Sequence, residues 1–123
     1  MARDLLHWFD IPVTDIERAA AFYATVLGLK MKHVEAPPDV VMEWFESENP
    51  HGGGCLIQMA GRTPSEHGTY VYFSAEPDIQ AVLDRVEPAG GKVVMGKNGS
   101  DDGGYVAFFT DSEGNRVGLA SNH

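Results

Sequence analysis

Two side chains that could do chemistry stand close together near the start of the chain. Trp8 and Asp10 are two residues apart in a stretch, 8–13, where they alternate with apolar residues, so both would point to one face of a strand. An indole can support a flat ligand, and a carboxylate can accept a hydrogen bond or act as a general base if burial raises its pKa. Alternatively, Trp8 fills the floor of the fold and Asp10 is satisfied by the backbone or by Arg116.

A metal site is a second possibility, although the five histidines do not cluster in the sequence. Imidazole and carboxylate groups are common ligands of divalent ions. An unusual site would combine donors from separate segments, namely His7, His51 or His67 with Asp10 or Glu43.

The composition limits the size of the protein and its partners. A chain of 123 residues, of which 43% are hydrophobic, is long enough for one core, so we expect a single domain over 1–123. A net charge of -9 argues against nucleic acid or an anionic membrane as the main partner. No apolar run approaches a bilayer span and no signal peptide is evident, so we expect a cytoplasmic protein.

The single cysteine, Cys55, excludes an internal disulfide and a cysteine-based zinc cluster. It could be a reactive thiol, but its place in an apolar strand favours a small core residue.

The first half of the chain predicts a strand, a helix and three more strands. Thr14 or Asp15 can cap the helix, and Gly28 can end it in the left-handed conformation. Apolar residues at three- and four-residue spacings give the helix a stripe that would face a core. The remaining strands of this half, module one at about 5–60, are predicted at 30–33, 40–45 and 55–60.

The same order of elements is predicted again after a polar, proline-containing linker at 61–68. Module two, at about 69–121, has strands at 69–74, 92–95, 105–110 and 116–120 and a helix at 77–86. Equivalent helix residues are 63 positions apart, whereas the closing strands superpose at 60, with Ile57 over Val117. The repetition indicates an internal duplication.

The predicted fold class is therefore α+β, with two tandem strand-helix-strand-strand-strand modules whose sheets form a cup with the helices outside. Alternation predicts which residues line the cup, and a mostly apolar hollow with a few polar groups is typical of a small-molecule site. The predicted lining residues are Trp8, Asp10, Pro12, Leu56, Gln58, Thr69, Val71, Phe73, Arg116 and Gly118.

Two segments of the chain resemble one superfamily. The residues 11–23, Ile-Pro-Val-Thr-Asp-Ile-Glu-Arg-Ala-Ala-Ala-Phe-Tyr, with Leu-Gly-Leu at 27–29, and the late stretch 109–119, Phe-Thr-Asp-Ser-Glu-Gly-Asn-Arg-Val-Gly-Leu, are similar to the vicinal oxygen chelate superfamily. That superfamily includes glyoxalase I, bleomycin-resistance proteins, extradiol dioxygenases and fosfomycin-resistance enzymes. The likeness covers nearly the whole chain, which looks most like the short, glyoxalase-like members.

The resemblance also implies where a divalent metal would be held. The four ligand positions of the metal-binding members fall on Trp8, Gln58, Thr69 and Gly118. Only the Gln58 amide could be a ligand, and one neutral amide cannot hold a divalent ion. We therefore expect no cofactor in this chain.

The leading hypothesis is a protein that binds a small, partly aromatic or apolar molecule without a metal. The resemblance also implies a homodimer, because related chains of this length commonly form one. The protein would act by sequestration or by acid–base chemistry, with Asp10 as the catalytic candidate. The alternative is a metal-dependent lyase, isomerase or dioxygenase resembling lactoylglutathione lyase, with ligands from unexpected positions. A protein-interaction module is a third class. The predicted ligand-binding residues are Trp8, Asp10, Gln58, Thr69, Val71, Phe73, Arg116 and Gly118.

Overall fold

A computed structural model of the chain describes residues 6–48, 53–99 and 103–123. The first half contains β1 (Phe9–Pro12), α1 (Ile16–Leu27), β2 (Met31–Val34), β3 (Val41–Phe45) and β4 (Gly54–Gln58). The second half contains β5 (Tyr72–Ser74), α2 (Ile79–Leu83), β6 (Lys92–Gly99), β7 (Tyr105–Thr110) and β8 (Arg116–Ser121). The predicted α+β class with a repeated strand-helix-strand-strand-strand order is confirmed.

Each half forms a four-stranded mixed sheet with the same topology. The strand orders are β1-β4-β3-β2 and β5-β8-β7-β6. In each sheet the first strand is parallel to the last, and the other pairs are antiparallel. Pro12 ends β1, an edge strand, where its missing N–H leaves no ladder bond unmade on the outer side.

The helices differ in length because their C-terminal sequences differ. In α1 the Asp15 side chain accepts a hydrogen bond from the N–H of Arg18, and Gly28 ends the helix at a φ of 65°. In α2 the helix stops at Leu83, and the chain continues in tighter turns such as Val86 N–H to Leu83 C=O. Pro88 disfavours helix in the residue before it, so the second helix is shorter than the sequence predicted.

Both halves share one hydrophobic core on the helix-covered side of the sheets. Tyr23 and Phe22 of α1 are buried, and their rings lie 5.7 and 5.9 Å from those of Phe73 and Phe109 in the second half. The buried set also takes Leu83 and Val86 from α2 and the turns after it. No helix in the part of the chain described is long and apolar enough to cross a bilayer.

Polar contacts also join the halves, through the two segments that carry the family resemblance. The Tyr23 hydroxyl donates to Asp111, which is 4% exposed, at 2.6 Å. The Asn115 amide donates to the same carboxylate at 3.1 Å and to the Pro12 carbonyl at 2.8 Å. We call Tyr23, Asp111, Asn115 and Pro12 the clamp. Because each partner is buried or nearly so, an unmade bond here would be costly.

Glu113 makes a second connection between the halves. Its side chain is fully buried and accepts from Arg18 Nε at 2.6 Å and from the backbone N–H groups of Thr14 and Asp15 at 3.0 and 2.9 Å. Burial alone would raise the pKa of Glu113, but the hydrogen bonds from Arg18, Asp15 and Thr14 lower it to about 2. The carboxylate thus stays charged at the start of α1, where a negative charge is favoured.

The predicted face is wrong for Leu56, Gln58 and Phe73. In the parallel β1–β4 pair, Leu56 lies opposite the buried Ile11, so it faces the core. Gln58, two residues later, accepts a hydrogen bond from the N–H of Ile16 at the start of α1. Phe73 packs against Tyr23, Phe45 and Phe9. Alternation could not assign these faces, because β4 is buried on both sides and aromatic residues occupy both 72 and 73.

The correct face also changes the spacing of the repeat. Leu56 and Leu119 are both fully buried in the core and are 63 positions apart, the same spacing as the helices. Ile57 instead lies opposite Pro12 in the ladder, on the other face from the core residue Val117. The predicted spacing of 60 for the closing strands is therefore wrong, and one spacing relates both pairs of elements.

Candidate functional site

Asp10 is the centre of a polar cluster on the face of the first sheet opposite α1, which we call the helix-free face. Its Oδ1 accepts from Trp8 Nε1 at 2.8 Å and from Cys55 Sγ at 3.2 Å. Its Oδ2 accepts from a terminal nitrogen of Arg62 at 2.8 Å. We call these four residues the Asp10 cluster. Strand alternation brings Trp8 and Asp10 to one face, and the β1–β4 ladder places Cys55 opposite Asp10.

The partner of Asp10 is not the one that the sequence suggested. Arg62 comes from the segment between the halves, whereas Arg116 pairs with Glu66. Partial burial would raise the pKa of Asp10, but the hydrogen bonds from Arg62, Cys55 and Trp8 together lower it. The carboxylate is therefore a fixed anion and a hydrogen-bond acceptor, and the raised pKa expected of a buried general base is not found.

Cys55 is held as a thiol by the same arrangement. Burial, together with the hydrogen bond to Asp10 and the charge of that carboxylate, raises the pKa of Cys55 to about 12. The residue is fully buried. These observations favour the small core residue that the sequence predicted over a reactive thiol.

Trp8 packs against a second indole rather than against the bottom of a cup. The rings of Trp8 and Trp44 meet edge to face with their centroids 4.8 Å apart. Trp44 lies opposite Cys55 in the β3–β4 ladder, so it shares the helix-free face with Asp10. Trp44 was not predicted as a site residue, because the pattern of residues in β3 does not determine which of them face the same side as Asp10.

A cleft of about 150 Å³ lies between the two halves and combines charged, hydroxyl and apolar groups. The segment between the halves forms one wall, and β1 and the start of β8 form the others. Four of the predicted ligand-binding residues meet here. The lining consists of Asp10, Ile11, Pro12, Thr63, Ser65, His67, Thr69, Val71, Asn115, Arg116 and Val117.

Arg116 carries the positive charge of β8 at this cleft. A terminal nitrogen of its guanidinium contacts Glu66 Oε1 at 3.2 Å. Within the described residues, its buried Nε has no hydrogen-bond partner. The backbone N–H of Arg116 donates to the Ser65 carbonyl, which fixes the segment 61–68 beside β8. The guanidinium thus has donor capacity that the residues described by the structure leave unused.

The other predicted ligand-binding residues lie away from the cleft lining. Gln58 borders a separate hollow of about 380 Å³ at the start of α1, and Phe73 is in the core. Gly118 lies beneath the ring of Tyr72, where an added Cβ would come within 2.5 Å of that ring. Trp8 reaches the cleft only through its hydrogen bond to Asp10.

The side chains at the family's metal positions do not fit a metal. The indole nitrogen of Trp8 is a donor, the Gln58 amide oxygen is already bonded to Ile16 N–H, and Gly118 has no side chain. Thr69 offers one neutral hydroxyl, which is a poor ligand for a divalent ion without stronger donors beside it. Among residues 6–48, 53–99 and 103–123, no three His, Cys, Asp or Glu side chains are grouped to hold a metal. His51, one of the unusual candidates, lies outside these ranges.

Several cleft residues were not predicted as site residues. Thr63 and Ser65 come from the segment predicted as a linker, and Arg62 of the same segment binds Asp10 without lining the cleft. His67, predicted only as a candidate ligand of an unusual metal site, also lines the cleft. The sequence contained one signal for Arg62. It is a positive residue between the two repeats, and Asp10 on a nearby strand is negative. Asn115 was visible only as part of a turn motif.

Comparison with known proteins supports the fold and gives the family. Residues 5–119 match the profile of the Glyoxalase/Bleomycin resistance protein/Dioxygenase superfamily. Proteins called CFP32 in Mycobacterium tuberculosis and Mycobacterium bovis, each named as a proposed glyoxylase, are 30% identical over 92% of this chain. The match covers 44% of each of them, so the chain spans less than half the length of these curated relatives.

Solved structures share the architecture at low sequence identity. A glyoxalase I mutant from Zea mays has a TM-score of 0.74 and 22% identity, over 94% of this chain and 45% of that one. The fosfomycin resistance protein FosX from Listeria monocytogenes has a TM-score of 0.68 and 13% identity, over 100% and 94%. These likenesses concern the fold alone. The profile match over nearly the whole sequence shows that this chain belongs to the Glyoxalase/Bleomycin resistance protein/Dioxygenase superfamily.

Proposed function

We propose that this protein binds a small organic molecule in the cleft between its halves, without a metal ion. The observation that carries the proposal is the lining of the cleft, where Asp10 and Arg116 accompany the partly exposed apolar side chains of Pro12 and Val71. Small-molecule sites typically combine an apolar wall with a few fixed polar groups. A volume of about 150 Å³ suits a molecule roughly as large as benzene.

Sequestration is better supported than acid–base catalysis. A general base works best when its pKa is near the working pH, whereas burial is outweighed at Asp10 by three hydrogen bonds that lower its pKa. Asp10 remains the catalytic candidate if the protein is an enzyme, because it is the carboxylate that lines the cleft. Its main role in this proposal is to accept a hydrogen bond from the ligand.

A metal-dependent lyase, isomerase or dioxygenase is the alternative, favoured by the glyoxylase name of the two relatives. It would need ligands from outside the family positions, such as His51. This reading predicts activity on a glutathione hemithioacetal or a catechol that a chelator abolishes and a divalent metal restores.

The proposal also covers the oligomeric state of the protein and its cellular compartment. We infer a homodimer in the cytoplasm; Tyr72, 51% exposed, and Val94, 44% exposed, offer apolar surface that a second copy would cover. Light scattering during gel filtration would measure the mass of the assembly. A monomer at all concentrations would contradict the dimer and leave the ligand proposal intact.

Metal analysis and ligand mapping together test the function. Protein purified without chelators should contain only substoichiometric divalent metal, and fragments of benzene size should shift NMR signals of Thr69, Val71 and Arg116. Asp10→Asn should weaken fragments that carry a hydrogen-bond donor, while Asp84→Asn, at the exposed C-cap of α2, should not. A tightly held divalent ion in every chain would overturn the proposal, as would a library without any fragment that binds the cleft.

A further inference from the structure

Arg116 has guanidinium N–H donors that the described residues leave without an acceptor. Its side chain is 25% exposed and makes one contact of 3.2 Å with Glu66, while its buried Nε has no partner within the described residues. A guanidinium binds a carboxylate best through two parallel N–H···O bonds. A buried donor without a partner is unfavourable, so a ligand carboxylate that reached Nε as well would be better bound than Glu66 is.

Glu66 is an internal substitute that a ligand can displace. It lies in the segment 61–68, its side chain is 49% exposed, and its Oε1 is shared between Arg116 and the Thr110 hydroxyl, each at 3.2 Å. Exposed ion pairs of this kind contribute little to stability. Its neighbours Ser65 and His67 both line the cleft, so Glu66 holds Arg116 at the edge of that space.

The opposite charge in the cleft specifies the second group of the ligand. Asp10 is an ionised acceptor whose carboxylate already receives bonds from Trp8, Cys55 and Arg62. A purely anionic ligand would be repelled by it, whereas a ligand hydroxyl or ammonium group could donate to it. The hydroxyls of Thr63 and Thr69 add polar partners on the same lining.

We propose that the cleft binds a small carboxylic acid that also carries a hydroxyl or ammonium group. The carboxylate replaces Glu66 on Arg116, the donor group faces Asp10, and the remainder packs on Pro12 and Val71. This inference rests on the proposed function and names the ligand class of the same site. The net charge of -9 slows the approach of an anion, but salt screens that repulsion, so binding is measured near physiological ionic strength.

Three molecules of nearly equal size separate the two polar requirements. We would titrate 2-hydroxyisovalerate, isovalerate and 2-hydroxyisovaleramide into the full chain and follow binding by calorimetry and NMR. The first keeps both groups, the second lacks the hydroxyl and the third lacks the charge. We expect the hydroxy acid to bind at least about tenfold more tightly than the amide, and isovalerate to lie between them.

Two variants and a matched control assign the carboxylate contact. Arg116→Gln should weaken the hydroxy acid by about tenfold or more, because a charged hydrogen bond is lost. Glu66→Gln should tighten it severalfold, because the internal competitor loses its charge. Glu43→Gln, which alters a carboxylate paired with His33 on β2, should leave the affinity unchanged. The gain in Glu66→Gln is informative even if Arg116→Gln does not fold.

The possible results distinguish failure of the proposed ligand class from failure of small-molecule binding in the cleft. Equal affinity for acid and amide, or a Glu66→Gln variant that binds no tighter than the parent, would overturn the ligand class. If neutral fragments shift the cleft signals and no acid does, the ligand class fails while the binding function stands. If nothing shifts them, both fail.

Discussion

The two halves share a topology but use their helix-free faces differently. In the first half, Asp10 accepts hydrogen bonds from three side chains, so the polar groups of the Asp10 cluster are bonded to one another. In the second half, the ring of Phe108 contacts the rings of both Tyr70 and Tyr72, and Tyr72 is 51% exposed. Arg116, on the same strand as Gly118, has only the shared Glu66 as its charged partner within the described chain.

This difference teaches that the duplicated fold does not set the chemistry of its faces. In the first half the polar side chains of this face form hydrogen bonds with one another. The second half instead exposes aromatic surface and leaves hydrogen-bond donors of Arg116 for a ligand. The cleft lies where the two meet, so a ligand would contact a preorganised acceptor on one side and a replaceable ion pair on the other.

The largest expected effect is on the alkylation rate of Cys55, whose thiol is buried and bonded within the Asp10 cluster. Its pKa of about 12, caused by burial and by Asp10, against 9.0 for an ordinary thiol, leaves about a thousandfold less thiolate at pH 8. Alkylation by iodoacetamide, followed by mass spectrometry, should be slower than for the urea-unfolded chain by about that factor. Asp10→Asn should restore part of the rate, and equal rates in folded and unfolded protein would contradict the prediction.

The next largest effect should come from the clamp, which ties the second half to the first. Asp111→Ala leaves the buried Tyr23 hydroxyl and the Asn115 N–H without their acceptor, so we expect a loss of about 3 kcal/mol in the free energy of unfolding. Urea denaturation measures it. Asp84→Ala, at the exposed C-cap of α2, should change stability by less than about 0.5 kcal/mol. Similar losses for both variants would show that the clamp does not stabilise the fold more than an exposed carboxylate does.

Acid should weaken the second connection between the halves, which is made by Glu113. Burial raises its pKa, but stronger hydrogen bonds from Arg18, Asp15 and Thr14 lower it to about 2 from 4.5. A lowered folded-state pKa stabilises the fold above about pH 4.5, and this contribution, up to about 3 kcal/mol, is lost as the pH falls from 4.5 to 2.

The variant Glu113→Gln isolates that contribution. Other carboxylates with lowered pKa, such as Asp10, also lose stabilisation in acid, so the test is the difference between two stability curves. The parent should lose more stability between pH 4.5 and 2 than Glu113→Gln does. Glu35→Gln, whose side chain is 96% exposed, should follow the parent, and parallel curves for Glu113→Gln and the parent would count against the assigned role.

The smallest effect distinguishes the two helix caps. Asp15 and Asp78 are equivalent in the repeat and accept from the N–H groups of Arg18 and Gln80. Asp78→Ala should cost about 1 kcal/mol and Asp15→Ala about 0.5, because Glu113 and Gln58 also satisfy N–H groups at the start of α1. Urea denaturation of both variants measures the difference; a larger loss at Asp15 would show that the extra acceptors do not compensate.

The fold could be predicted from the sequence because its signals are local. The Asp15 cap, the apolar stripe of α1 and Gly28 lie within one short segment, and each acts through neighbouring backbone groups. The repeat then supplied the second half. The exceptions include the end of α2 and the start of β5, where short-range preferences compete with turns. They also include the end of β6, which was predicted at Met95 and lies at Gly99.

The site was harder to predict because it depends on contacts between distant segments. Trp8 and Asp10 were found by alternation, but Arg62 reaches Asp10 across 52 positions and Glu66 reaches Arg116 across 50. The faces of Leu56 and Phe73 were misassigned because their strands lack a polar alternation that distinguishes inside from outside. Pairing between charges on a connecting segment and on strands leaves no periodic signal.

The continuous core and the clamp have a consequence for how the protein denatures. Tyr23 contacts both Phe73 and Asp111, so the helix of one repeat cannot leave its place without exposing buried groups of the other. Heating should therefore melt both repeats in one all-or-none step, with equal calorimetric and van't Hoff enthalpies, despite the duplicated architecture.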